Sequence, residues 1–448
     1  MNIPFTTPAN EPFSAEFGRV GLIGSWFNRG FVVGRYKRLT EAKSFEGVLL
    51  SGPTGSGKTS RFLLKNLLSL TSGSMLINDP QGELWHYASG YLTEKMDAVY
   101  SINFSDATKS AGFNPFSRIK KASDVNKLAS LLISSTLEKG NGDVFWSLAS
   151  TNLTAVLIRV LLYQPKEFHN VANLIRMLHF FAVSPEKVDA WVAQTNDEKL
   201  IIDYKSILAI PPKTLDNVYA SVKSALQIFD DSDIAKTTAF DTVNFDELRK
   251  KRVAIFLNNA LGDQRYISIL NSIFFDQFYS YALEILPTKL DNSIYVILEE
   301  CAALYIPMLA QATATTRKAR VANYIVVQAH AQLKSFYKDQ AETIKANCRT
   351  KIWLTGQTSL EELREIETLS GKRIYKDEKN VERTVPLIAT DAIRMLPENR
   401  SLILSGNHPL ILGKSSFYFR SPRYRRRAEL PPAPFIKHIP DDPIPMLK

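Results

Sequence analysis

Gly52-Pro53-Thr54-Gly55-Ser56-Gly57-Lys58-Thr59 sets glycines, a lysine and a hydroxyl at the spacing Gly-x-x-x-x-Gly-Lys-Thr. That spacing cradles phosphates. Gly55 and Gly57 let successive backbone N–H groups turn inward, and the N-terminus of a following helix favours the same anion. Lys58 is then placed to reach the β- and γ-phosphates, and the Thr59 hydroxyl to ligate Mg²⁺. The apolar run Gly47-Val48-Leu49-Leu50 precedes the motif, and Arg61 to Leu68 follow it with helical character, so strand, loop and helix come in the order a triphosphate site needs. The reading is a site for ATP and Mg²⁺ built from Gly52, Pro53, Thr54, Gly55, Ser56, Gly57, Lys58, Thr59 and Ser60. A glycine-rich surface turn is the plainer alternative, and the flanking strand and helix weigh against it.

Hydrolysis at such a site needs an acidic residue in the metal's shell and a carboxylate that polarises the attacking water. Ser293-Ile294-Tyr295-Val296-Ile297-Leu298-Glu299-Glu300 offers both, because a buried strand would deliver the paired acids at its carboxyl end. Glu299 is assigned to the magnesium shell and Glu300 to the water. A strand ending at a solvated acidic turn is the competing reading. Tyr324-Ile325-Val326-Val327 ends in Gln328, whose amide could sense the γ-phosphate or orient water. Arg317, in the basic stretch Arg317-Lys318-Ala319-Arg320, carries a guanidinium that could stabilise phosphoryl-transfer charge at a neighbouring subunit's site. Taken alone, Gln328 and Arg317 read as a strand-capping amide and an exposed basic helix end.

These residues must be held by a larger pattern. Short apolar runs alternate with helix-period stretches, the form of a parallel sheet covered by helices. Expected strands are 48–50, 75–77, 98–102, 253–257, 294–298, 324–327, 352–354 and 402–404. Between the third and fourth the chain is almost wholly helical, with helices expected from Ala122 to Leu137, Trp146 to Tyr163 and Leu215 to Phe229, and Pro211-Pro212 ending one helix and starting another. This predicts an α/β nucleotide domain interrupted by an all-α insertion: an N-terminal segment 1–46, nucleotide-domain parts 47–120 and 246–427, an insertion 121–245, and a Pro-rich tail 428–448. The prolines after Leu430 predict an extended tail open to disorder.

Composition narrows the class further. A 45% hydrophobic and 22% charged chain of 448 residues has material for a sizeable core. Its net charge of +10 suits an anionic partner, nucleic acid or acidic lipid headgroups, and equally suits mere solubility. Basic residues concentrate in Arg420-Ser421-Pro422-Arg423-Tyr424-Arg425-Arg426-Arg427, a solvated run in the plain reading and a phosphate or membrane-surface contact in the other. Cys301 and Cys348 stand alone, without metal-ligand spacing, which argues against a zinc site or disulfide framework and suits a reducing cytosol. The scattered histidines offer no nucleophile partner. The N-terminus lacks the pattern of a signal peptide. The nearest approach to a membrane segment in the sequence reading, 20–33, is broken by Asn28 and Arg29 and too short to span.

Several segments together resemble the coupling-protein ATPases of type IV secretion and bacterial conjugation, the TraG/TraD-like family. The phosphate motif is followed by Asn78-Asp79-Pro80-Gln81-Gly82-Glu83-Leu84, then by Phe113-Asn114-Pro115-Phe116 and Asp143-Val144-Phe145-Trp146. The strand ending in Glu299-Glu300, the placing of Arg317, and Gln328-Ala329-His330-Ala331-Gln332-Leu333 continue the series, and Met395-Leu396-Pro397 and Ser405-Gly406-Asn407-His408-Pro409 close it. The resemblance covers roughly residues 30 to 427. It implies a RecA-like P-loop domain with an all-α insertion, assembly as a homo-hexamer with nucleotide between subunits, and delivery of a relaxase-bound DNA strand or protein cargo to a type IV secretion channel. By position it gives Lys58 and Thr59 to phosphate and metal, Glu299 and Glu300 to hydrolysis, Gln328 to nucleotide sensing and Arg317 to a trans-acting finger.

Three departures from the family pattern stand out. Glu299-Glu300 replaces the usual Asp-Glu, Gln81 replaces a lysine, and no membrane-spanning helix is expected, which implies a cytoplasmic protein meeting the membrane peripherally or through a partner. The preferred expectation is an ATP-driven DNA translocase of conjugation, binding DNA without sequence preference. The alternative is a docking adaptor that hydrolyses slowly or not at all and selects cargo through the all-α domain. A small-molecule kinase is disfavoured, since it has no use for the insertion or the basic tail.

Overall fold

The computed structural model describes residues 14–137, 144–258 and 264–448. Its strands are β1 (Val48–Ser51), β2 (Ser74–Asp79), β3 (Ala98–Ile102), β4 (Val253–Asn258), β5 (Ile294–Leu298), β6 (Val321–Val327), β7 (Thr350–Leu354), β8 (Lys372–Lys376), β9 (Glu382–Pro386), β10 (Arg400–Ser405) and β11 (Ile411–Lys414). Nine of these form one sheet in the order β11-β10-β7-β1-β6-β5-β2-β4-β3. The pairs β1–β6, β1–β7, β5–β6 and β2–β5 are parallel, and β10 runs antiparallel to both β7 and β11. The α/β class with a mostly parallel central sheet is therefore as expected. β1, β2, β4, β5 and β6 are buried at every residue, which is why they read in sequence as continuous apolar runs rather than alternations.

All eight expected strands are present, several longer by a residue or more. The hairpin β8–β9 was not expected, because its residues are mostly exposed and charged and leave no apolar run to see. β11 was missed as well, being short and carrying Gly413.

Contacts divide the chain into two compact units. The first comprises 1–99, 246–256 and 282–433 and holds the parallel strands around β1. Its core gathers Val48, Leu50, Ile77, Tyr295, Ile297, Tyr324, Val326 and Ile352 with Phe62, Leu63 and Leu64 from the helix after the phosphate motif. The second comprises 100–245, 257–281 and 434–448. It is mostly helical, and the helix Val144–Leu162 packs there against Ala122–Leu137, Val171–Val183, Glu198–Leu208 and Pro212–Leu226. Pro212 does begin a helix. This division follows contacts rather than sequence order, so it groups 257–281 and the end of the tail with the helical stretch.

The tail is extended and anchored. In the first unit the Ala433 N–H donates to Ser89 Oγ at 2.9 Å. In the second, Asn173 donates from Nδ2 to the Pro445 carbonyl at 2.8 Å and accepts the Leu447 N–H at 2.9 Å, while Ile439 and Leu447 are buried.

Among the described residues one helical segment, Phe145–Leu162, is long and apolar enough to cross a membrane, with a mean hydropathy of 1.5 and half its residues buried. This differs from 20–33, the nearest approach expected from the sequence. Helical packing explains the difference, because a helix enclosed by four others is apolar nearly all round. Cys301 and Cys348 are free and buried, and burial pushes both thiols up to about 12, where they stay protonated.

Candidate nucleotide site

The sheet order explains how residues far apart in sequence meet. β6 lies between β1 and β5, and the three are parallel, so their carboxyl ends share one edge. The phosphate motif leaves β1 there, Gln328 leaves β6, and Glu299-Glu300 leave β5. β2 flanks β5 on its other side and brings Asn78 and Asp79 to the same edge. Strand ends at this edge are where open α/β sheets place their ligands.

Gly55 and Gly57 have φ of +81° and +85°, the left-handed region that turns the loop's N–H groups inward. The loop runs into a π-helix, Thr59–Leu63, that continues as the α-helix Leu64–Leu67. A π-turn here widens the first helical turn beside the phosphate loop, a device frequent at functional sites. Lys58 donates from Nζ to the carbonyls of Gly52 at 2.6 Å and Pro53 at 3.2 Å. Burial lowers its pKa, and the nearby Glu300 and Glu299 carboxylates work against that shift.

Thr59 donates its hydroxyl to Glu299 Oε1 at 2.7 Å. Glu299 is buried, and its second oxygen, Oε2, has no hydrogen-bond partner. Burial, helped by Asp79, raises its pKa to about 8. Asp79 is fully buried and raised to about 7, again by burial first, while the N–H groups of Leu84 and Trp85 pull the other way at 3.2 and 2.7 Å. Asn78 Nδ2 holds the Glu299 carbonyl at 2.7 Å. An orphaned carboxylate oxygen beside a hydroxyl, with a second buried acid close by, is a donor set that suits a hard divalent cation such as Mg²⁺, completed by phosphate and water oxygens. Among the described residues no cluster of three or more His, Cys, Asp or Glu forms a metal cage.

Glu300 sits at φ +53°, ψ +44°, an uncommon conformation for a residue with a side chain. Its Oε1 accepts Gln328 Nε2 at 2.5 Å, and Gln328 Oε1 accepts the Thr54 hydroxyl at 3.3 Å. A chain of contacts thus runs from the phosphate loop through the β6 amide to the β5 acid. Gln332 fixes the backbone end of this chain, its Oε1 accepting the Gln328 N–H at 3.1 Å. That accounts for the four-residue spacing of the two glutamines.

The structure therefore brings Lys58, Thr59, Glu299, Glu300 and Gln328 together. Arg317 stands apart, exposed and paired with Glu46 at 3.3 Å. Asp79 is the residue that sequence reasoning assigned no role. The available signal was an acid one residue beyond the apolar run Met75-Leu76-Ile77, after Asn78, which the β2–β5 register sets level with Glu299. Asp143, in one of the resemblance segments, lies outside the described residues.

The phosphate loop after a central parallel strand, acids on neighbouring strand ends and a helical second unit define a RecA-like P-loop NTPase fold with an all-α insertion. Residues 20–437 match the model of the family described as type IV secretory system conjugative DNA transfer. The chain belongs to this family. It is 23% identical to the conjugal transfer protein TraG of Escherichia coli over 86% of its own length and 69% of that protein's. Its fold is similar to that of the bacterial conjugative coupling protein TrwBdeltaN70 in complex with sulphate, with a TM-score of 0.72, 17% identity, and 94% and 98% of the two chains covered. TrwB in complex with the ATP analogue ADPNP gives a TM-score of 0.69 at 16% identity, with 98% of each chain covered.

Proposed function

We propose that this protein is an ATP-hydrolysing coupling protein that moves DNA into a conjugative type IV secretion channel. The carrying observation is the convergence of Thr59 with Glu299 and of Gln328 with Glu300 at the carboxyl edge of β1, β6 and β5. Solved TrwB structures hold ADP with Mg²⁺ and analogues of ATP and GTP, which supports the same ligands here.

The loop N–H groups and Lys58 bind the phosphates, with Lys58 exchanging two carbonyl partners for phosphate oxygens. Thr59 and Glu299 would hold Mg²⁺, which when bound would offset the negative charge of the phosphates. Glu300 orients and polarises the attacking water, and Gln328 links it to the loop. In Glu299 the extra methylene relative to aspartate does not put the carboxylate out of reach, since it meets the Thr59 hydroxyl. That favours a hydrolysing enzyme over a passive adaptor.

The exposed Arg317 serves a neighbouring subunit in a homo-hexameric ring. DNA is gripped through its phosphates, consistent with the net charge of +10, with little base reading and steep salt dependence. A relaxase or other protein cargo arrives with the DNA.

The test is phosphate release with and without single- and double-stranded DNA. The wild-type rate rises with DNA, and Lys58→Ala and Glu300→Gln abolish turnover. Assembled protein that stays inactive with every nucleic acid would sink the motor reading.

A further inference from the structure

Two stretches of this chain are rich in arginine and lysine and contain no acid at all: Phe17 to Thr40 and Ile411 to Ala428. The first unit places them side by side. Gly18 bridges Ile411, the Arg35 N–H donates to the Lys414 carbonyl at 2.7 Å, and the buried Lys65 joins the Arg35 carbonyl to Ser416 Oγ at 3.3 and 3.0 Å.

The first stretch is a firmly anchored loop. Ile23, Phe31, Val32, Val33 and Leu39 are buried in the core. Ser25 and Val32 both bridge Arg38, whose guanidinium donates to the carbonyls of Gly30, Arg29 and Ser69. The Val32 N–H donates to Asn66 Oδ1 at 2.8 Å. Held by this frame, Leu22, Trp26, Phe27 and Tyr36 face solvent, with Phe27 85% and Trp26 62% exposed. The Trp26 ring meets Phe27 and Tyr36 edge-on at 6.5 and 6.1 Å, so the two limbs of the loop share one aromatic tip.

A rigid frame that keeps four large apolar side chains in water marks an interaction surface. Charge and shape decide its partner. Arg29, Arg35 and Lys37 are exposed around the tip, with Lys414 and Arg423 exposed on the adjoining stretch. Of the flanking acids, Glu41 accepts the Tyr295 hydroxyl at 3.2 Å, Glu429 pairs with Arg425 of the basic stretch at 3.5 Å, and Glu16 is exposed just before Phe17, so the cations outnumber the acids. An aliphatic and aromatic tip ringed by exposed cations complements a bilayer with anionic headgroups, where Trp and Tyr settle at the interface, Leu and Phe enter the acyl boundary, and Arg and Lys stay among phosphates. Single-stranded nucleic acid fits less well. It wants ring faces free to stack on bases, whereas these rings are turned edge to face on one another, and Leu22 has no face to offer.

We propose that the loop 19–37, with the basic stretch 411–428 beside it, is a membrane-docking surface for anionic lipid. It stands independently of the nucleotide site.

The test is flotation of the full chain with phosphatidylcholine vesicles, with and without phosphatidylglycerol, together with quenching of tryptophan fluorescence by brominated acyl chains. The protein floats with the anionic vesicles, and part of its fluorescence is quenched. Trp26→Phe removes that quenching while flotation persists. Trp26→Ser with Phe27→Ser weakens binding about tenfold or more. Arg29→Ala and Lys37→Ala weaken it about fivefold each. All variants keep wild-type nucleotide-induced thermal stabilisation, which separates failure of this surface from failure of the nucleotide site or of folding. Absence of flotation overturns the proposal, as does flotation indifferent to both sets of substitutions. Displacement from the vesicles by a DNA oligonucleotide, with the same side chains then protected by DNA, overturns it in favour of a nucleic-acid surface.

Discussion

Replacing Glu299 with glutamine separates the electrostatics of the site from its chemistry. In the nucleotide-free fold this carboxyl is raised from 4.5 to about 8, mainly by burial and next by Asp79. The folded-state pKa lies above the unfolded one, so the unfolded state gives up its proton first as pH rises. Ionisation therefore erodes stability from about pH 4.5 to about pH 8 and costs nothing further beyond. At about 1.4 kcal/mol per tenfold, the interval corresponds to a few kcal/mol and at most roughly 5. On a chain of this length each kcal/mol moves the melting temperature by about 1 °C.

Glu299→Gln keeps an acceptor for the Thr59 hydroxyl and removes the titration. The variant is expected to match wild type near pH 5 and to melt about 3–5 °C higher at pH 8 to 9, measured without nucleotide or metal across that range. Adding Mg²⁺ and ATP reverses the order, because wild type gains a cation ligand and the variant does not. A difference between the proteins that does not change with pH would refute the burial argument. Equal stabilisation of both by Mg²⁺ and ATP would refute the metal assignment.

Other side chains give sharper, smaller tests. Gln328→Ala breaks the link between Thr54 and Glu300, and should lower kcat about a hundredfold with little change in KM, read from steady-state phosphate release. Arg317→Ala should leave nucleotide affinity unchanged while lowering the rate about a thousandfold. Wild-type activity should rise with protein concentration, and a variant rate equal to wild type would remove the trans role. Glu362 is buried and accepts the Ser51 hydroxyl at 2.5 Å, directly behind the phosphate loop. Ser51→Ala leaves that acceptor unmet and should cost about 1–3 kcal/mol in chemical denaturation. Asn173→Ala removes the hydrogen bonds to Pro445 and the Leu447 N–H and leaves Arg176 on the Leu447 carbonyl, so limited proteolysis should cut the tail faster while turnover is unaffected.

The phosphate loop was legible in the sequence because its chemistry is local: eight consecutive residues carry the glycines, the cation and the hydroxyl. The buried strands were legible because strands covered on both faces leave unbroken apolar runs, and Glu299-Glu300 and Gln328 were found as the polar residues ending two of them. The charged hairpin β8–β9 was invisible for the opposite reason, having no buried face to write into its residues. Pairing was beyond the sequence. Only the order β1-β6-β5-β2 sets Gln328 between Thr54 and Glu300 and brings Asp79 to Glu299, since strand order depends on crossovers that no local pattern records. The tertiary fold alone also decided which apolar side chains stay in water. It buries Phe31 and leaves Phe27 exposed four residues away, a distinction set by the core each one could reach.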